Sequence, residues 1–200
     1  MAKNDTLTPE MLKILKIFGL GSLLFVVVLS FFDGRRANNS GKEISILSIT
    51  DAERLYFNNV RGIYYDQENR ADAKMVVYRF GKRIEGADHP ILNLSILINR
   101  VKNEAYIYLE PSWGLDDFKI RIEVAQRIDT LSFSQGDKFS HFEFVQQLYP
   151  YLSENSYFTL WDGSEWRPIL QDDKERDALR IPIKDFLRLI NVEADGFEKD

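Results

Sequence analysis

Two histidines, His89 and His141, are the only imidazoles in a chain of 200 residues that has no cysteine. They bound the nucleophile and metal chemistry within reach, because a transition-metal or acid–base site needs several such groups converging on one point. His89 falls in the loop sequence GADHP, and His141 in the first turn of a predicted helix. With no H-E-x-x-H pattern to place a second ligand, each reads as an ordinary surface or turn histidine. The absence of cysteine removes disulfides, thiolate ligands and thiol nucleophiles together. The chain also lacks G-x-S-x-G, so no serine-hydrolase elbow is expected, and its glycines match neither the Walker loop nor the dinucleotide loop. Catalytic, cofactor-binding and metal-ligating residues are therefore all expected to be none.

Carboxylates are the remaining candidates. Asp116-Asp117, Asp172-Asp173 and the set Asp66, Glu68 and Asp72 all fall in predicted loops. A glycosidase needs no more than two well-placed carboxyl groups, so motif alone does not dismiss that class. In a chain with 31 acidic residues such pairs also arise by chance, and solvated loops are the plainer reading. The calcium-loop spacing with its central glycine is missing.

Aromatic residues are more suggestive. Trp161 and Trp166 flank the turn Asp162-Gly163, Tyr149 and Tyr151 lie just upstream, and Trp113 sits in EPSWG at a predicted strand end. Such rings form a recognition surface when exposed and cross-strand core pairs when not. Trp113, Trp161, Trp166, Tyr149 and Tyr151 are the candidate recognition residues. Nucleic acid is a poor partner for this chain, since 26 Lys and Arg against 31 Asp and Glu leave a net charge of -5 that repels phosphates.

The elements that must position these residues follow from periodicity. ISILSI at 44–49 is β-branched and runs into Thr50-Asp-Ala-Glu53, a capping box that opens a helix with Ala52, Leu55, Tyr56, Asn59 and Val60 on one face. A polar turn is expected at 66–74. Period-two alternation then predicts strands at 74–80, 92–98, 105–109 and 118–124, with a further short strand at 131–133. A second capping box, Ser140 to Glu143, opens a helix that Pro150 ends, a hairpin turns at Asp162-Gly163, and Pro182 suits the first turn of a last helix.

Residues 17–32 contain no charge, and extension back to 14 adds Lys16 alone. At about 1.5 Å per residue the run 14–32 approaches the ~30 Å of a bilayer core, and no small-residue cleavage site follows it. The expected organisation is a tail at 1–13, a transmembrane signal anchor at 14–32 held in membrane lipid, a linker at 33–42 and a globular domain at 43–200. The expected fold is α+β: a single N-terminal transmembrane helix, then a mostly antiparallel sheet with about three helices packed on it. A short N-terminus in the cytoplasm and an extracytoplasmic domain is the favoured orientation, although basic residues flank both ends of the run. These features together suggest a single-pass membrane protein whose domain is a non-catalytic adaptor or accessory subunit of a membrane complex, with a protein partner. A tethered hydrolase or carbohydrate-binding protein, using loop carboxylates beside exposed tryptophans, is the alternative.

Overall fold

The computed structural model describes residues 8–32, 46–125, 127–153 and 155–192, with the side chains of 26–32 outside that description. The chain divides into two units, Met1–Ile44 and Ser45–Asp200. The linker expected at 33–42 lies outside the described residues.

Helix α1, Pro9–Phe32, is the structured element of the first unit. It corrects the expected membrane span: among the described residues, no helix is long and apolar enough to cross a membrane. The helix starts at Pro9, so Glu10, Lys13 and Lys16 stand within it. The single-pass, signal-anchor and lipid-partner assignments lose their basis with it, as does the orientation built on them.

The second unit is α+β, but it contains two antiparallel sheets where one was expected. The first has strand order β1-β2-β3-β4, formed by Tyr65–Arg70, Met75–Phe80, Leu92–Asn99 and Glu104–Pro111. The second has the order β6-β5-β7-β8, formed by Arg127–Ser134, Asp117–Val124, Tyr157–Trp161 and Trp166–Ile169. The alternation seen in FKIRIEV holds: Phe118, Ile120 and Ile122 are buried while Lys119 and Glu123 are exposed. Residues 66–70, expected as turn, are instead the exposed polar residues of β1, which pairs only with β2. The stretch at 44–49 forms no full strand within the described residues. Ile49 N–H donates to Asn103 and Ala105 N–H donates to Leu47, which lays Leu47 and Ile49, both buried, along the free edge of β4.

Three helices belong to this unit. Helix α2, Asp51–Tyr56, has the expected capping box, with Thr50 Oγ accepting from Glu53 N–H and the Glu53 carboxylate accepting from Thr50 N–H. It runs into a wider π-type turn, Phe57–Arg61, that buries Phe57 and leaves Leu55 and Val60, expected on the packed face, exposed. Helix α3, Lys138–Leu148, is capped by Asp137, whose carboxylate accepts from Phe139 N–H and Ser140 N–H, so the box expected at Ser140 sits one turn too late. Helix α4, Asp173–Leu189, begins well before Pro182, because Asp172 caps it by accepting from Glu175 N–H. Pro182 lies in its interior. Helix α3 packs on β4 and β6 and thereby bridges the sheets, while α4 packs on β3 and β4. One continuous core results, with Phe142 of α3 edge-on to Phe186 of α4 at 5.8 Å.

Candidate functional site

Antiparallel register gathers the candidate tryptophans on the outer face of the second sheet. Lys119 and Arg121 of β5 stand opposite Trp161 and Thr159 of β7, and Trp161 stands opposite Trp166 of β8. The two indoles lie 5.5 Å apart at 49°, and the Arg121 guanidinium sits 4.1 Å above the Trp166 ring. Such a stack of cation and rings is rigid and amphipathic, which suits recognition. Trp113 is 49% exposed in a tight turn after β4, with φ of 64°, and Arg167 approaches its ring at 5.3 Å. On the same outer face Ile128 of β6 is 64% exposed and Tyr157 of β7 is 51% exposed. Tyr149 and Tyr151 do not join this surface. Both are buried in the turn after α3, where Tyr151 O–H donates to Asp129 at 2.7 Å.

Asp162, the carboxylate in the turn between Trp161 and Trp166, is occupied. Asp162 Oδ1 accepts from Ser164 N–H, Ser164 Oγ–H and Glu165 N–H, and Oδ2 accepts from Arg167. The Glu165 amide above all, then the Ser164 hydroxyl and Arg167, holds the carboxyl well below the usual carboxylate range. A group so fixed as an anion is no general acid. Five of the seven carboxylates expected in loops also serve structure: Asp117 accepts from Ser134, Asp172 caps α4, Asp66 pairs with Arg83, Glu68 with Arg79, and Asp72 with Arg70. Among the described residues, no cluster of His and carboxylate groups could hold a metal ion.

A second feature, unforeseen in the sequence, lies between α2 and α4. Asp185 of α4 is 8% exposed, and its oxygens are divided: Oδ1 accepts from Arg61 Nε at 2.8 Å and Oδ2 from Tyr65 O–H at 2.7 Å. The Asp185 bond raises the Arg61 pKa, and burial, followed by the Asp185 charge, pushes the Tyr65 phenol far above its ordinary range. Outside this triad runs an open groove of about 500 Å³ lined by Tyr56, Arg61, Ile181, Lys184, Asp185 and Arg188, among others. The Arg188 guanidinium carbon lies over Tyr56, 3.9 Å from the ring centre.

The histidines separate into two structural roles. His89 Nε2 is 2.8 Å from a Glu175 oxygen and Nδ1 is 3.2 Å from Asp88. Burial disfavours its cation, but the bonds to Glu175 and then Asp88 outweigh this and raise its pKa. A raised base stabilises the fold fully below its ordinary value of about 6.5 and loses that contribution as pH climbs through the folded value. His89→Gln is therefore expected to lower stability by about 1 kcal/mol near pH 5.5 and by much less near pH 9, checked by urea unfolding at both. Equal losses at the two pH values would refute the ion-pair role. His141 is fully buried in α3 between Tyr108 at 4.4 Å and Phe133 at 5.1 Å, and its Nδ1 accepts from Leu109 N–H at 3.1 Å. That bond places the ring proton on Nε2, which has no partner among the described residues.

No family model, no curated protein and no solved structure matches this chain.

Proposed function

We propose that the α+β domain is a non-catalytic interaction module, an adaptor that seats a protein partner on the outer face of the second sheet. The supporting observation is the aromatic face itself, on which the exposed Tyr157 and Ile128 and the half-buried Trp161, Trp166 and Arg121 stand on one side of a sheet whose other side carries the core. Tryptophan, tyrosine and arginine are the residues that carry most binding energy at protein interfaces. The hydrolase alternative has less support, because Asp162, the carboxylate between the two tryptophans, is held by structural donors and the surface is a sheet face.

Site-specific photo-crosslinking in the cells that make the protein tests the proposal. A photoreactive residue at position 128 or 157 is expected to capture the same discrete partner. The same residue at Val101, which is 64% exposed at the far end of β3, is expected to capture none. Identical capture from all three positions, or none from 128 and 157, would overturn it.

A further inference from the structure

We propose that the groove between α2 and α4 binds an acidic peptide segment of a protein partner, at a site separate from the sheet face and independent of it. Arg70, Arg79, Arg83, Arg127, Arg167 and Arg180 are each paired with at least one carboxylate. The groove instead gathers three cations around a single carboxylate. Among the described residues its only lining carboxylate, Asp185, is turned inward and occupied on both oxygens. Arg61 reaches Asp185 through Nε, so its terminal nitrogens have no carboxylate among the described residues, and neither Lys184 nor Arg188 has an ion-pair partner there. The adjoining Glu53 is tied to Thr50 by the capping box. A chain with a net charge of -5 thus sets three cations against one inward-turned carboxylate on this groove, two of them without an ion pair among the described residues.

A basic residue in the last turn of a helix complements the helix dipole, and this accounts for Arg188. It does not account for Arg61, which comes from another element and points at the same groove. The backbone then decides between two anionic occupants. A compact phosphate favours converging amide donors at a helix N-terminus. Here the groove adjoins the C-terminal end of α4, where the N–H groups of Ile190, Asn191 and Val192 are bonded back to Phe186, Arg188 and Leu187. Only side-chain cations remain, distributed along an open groove beside the apolar Ile181 and the Tyr56 ring. That arrangement matches carboxylates spaced along a peptide, with apolar contact between them.

The test is fluorescence anisotropy of the full chain with a labelled peptide of alternating glutamate and glycine, against the glutamine-glycine peptide as control. The glutamate peptide is expected to bind, the glutamine peptide to bind at least about tenfold more weakly, and affinity to fall severalfold as salt rises from about 50 to 300 mM. K184E/R188E is expected to lose at least about tenfold, and K184Q/R188Q about fivefold, since each lost charge in such a groove changes affinity by a small factor. Both positions are exposed and without ion-pair partners among the described residues, so unchanged thermal unfolding will show that the variants fold. Ile128→Lys, on the sheet face, is expected to leave peptide affinity unchanged, which separates failure of this site from failure of the adaptor surface. The inference is overturned if K184E/R188E binds the peptide as the parent does. It is also overturned if inorganic phosphate or phosphatidylserine vesicles bind at Lys184 and Arg188 while the peptide does not. A chain ending at Val192 that binds the peptide, where the full chain does not, would assign the groove to this chain's own acidic residues 193–200 and overturn the partner assignment.

Discussion

Asp185→Ala is expected to reduce unfolding free energy by about 3 kcal/mol, the largest single effect of any charged residue in the domain, because it strands a buried phenol and a half-buried guanidinium at once. Arg61 loses the acceptor for its Nε, and Tyr65, only 7% exposed, loses the acceptor for its hydroxyl. The damage spreads because Tyr65 packs at 5.6 Å against Phe57, which in turn meets Tyr78 edge-on at 5.1 Å. Asp185→Asn keeps an oxygen for one donor and should cost about half as much. Pairing Asp185→Leu with Arg61→Met removes the charge from both sides and is expected to be milder than Asp185→Ala alone, as replacement of a whole buried pair generally is. Urea unfolding of the variants checks the order. An Asp185→Ala protein within about 0.5 kcal/mol of the parent would show that water replaces both lost bonds.

His141→Phe is the second large effect, expected at about 2 kcal/mol, because it removes a buried acceptor and sets a larger ring in a filled site. The loss comes from Leu109, whose N–H points away from β3 into α3 and has the imidazole Nδ1 as its acceptor. The pH signature distinguishes this from a packing defect. Burial lowers the His141 pKa, so below about pH 6.5 the unfolded chain takes a proton that the folded chain resists. The contribution is fully present above that pH and lost as pH falls, opposite in sign to that of His89. His141→Phe should therefore be most destabilising at neutral pH, and its deficit should shrink toward pH 5. A deficit constant from pH 5 to 8 would exclude the neutral-imidazole account.

The physics of what the sequence discloses is visible in these same residues. Local signals were legible: the Thr50 box, the alternation of β5 and the hairpin at Asp162-Gly163 all depend on neighbours within a few positions. The α+β class follows from them. The division into two sheets does not, because it depends on β5 choosing β7 as its second neighbour across the whole of β6 and α3. The tryptophans could be named as a surface from their turn, whereas Tyr149 and Tyr151 could not be told from core without knowing what packs on α3. The groove was invisible for the same reason: Arg61 and Asp185 are 124 positions apart, as His89 and Glu175 are 86 apart. The start of α4 was missed although its signal was local. Asp172 and Glu175 have the spacing of a helix cap, and Pro182 drew the boundary too late.

Strand β1 has a consequence of a different kind. It forms one margin of the first sheet, and of its residues only Tyr65 is buried, while Asp66, Gln67, Glu68, Asn69 and Arg70 face water. A bare sheet margin is a template on which another chain can add a strand, and charged residues along it are the usual protection. Any copy docking there would have to strip water from Asp66, Glu68 and Arg70, and break the bridges from Arg79 and Arg83 that hold the two acids. The same polarity that makes this segment resemble a turn keeps crowded copies of the protein from zipping together along it.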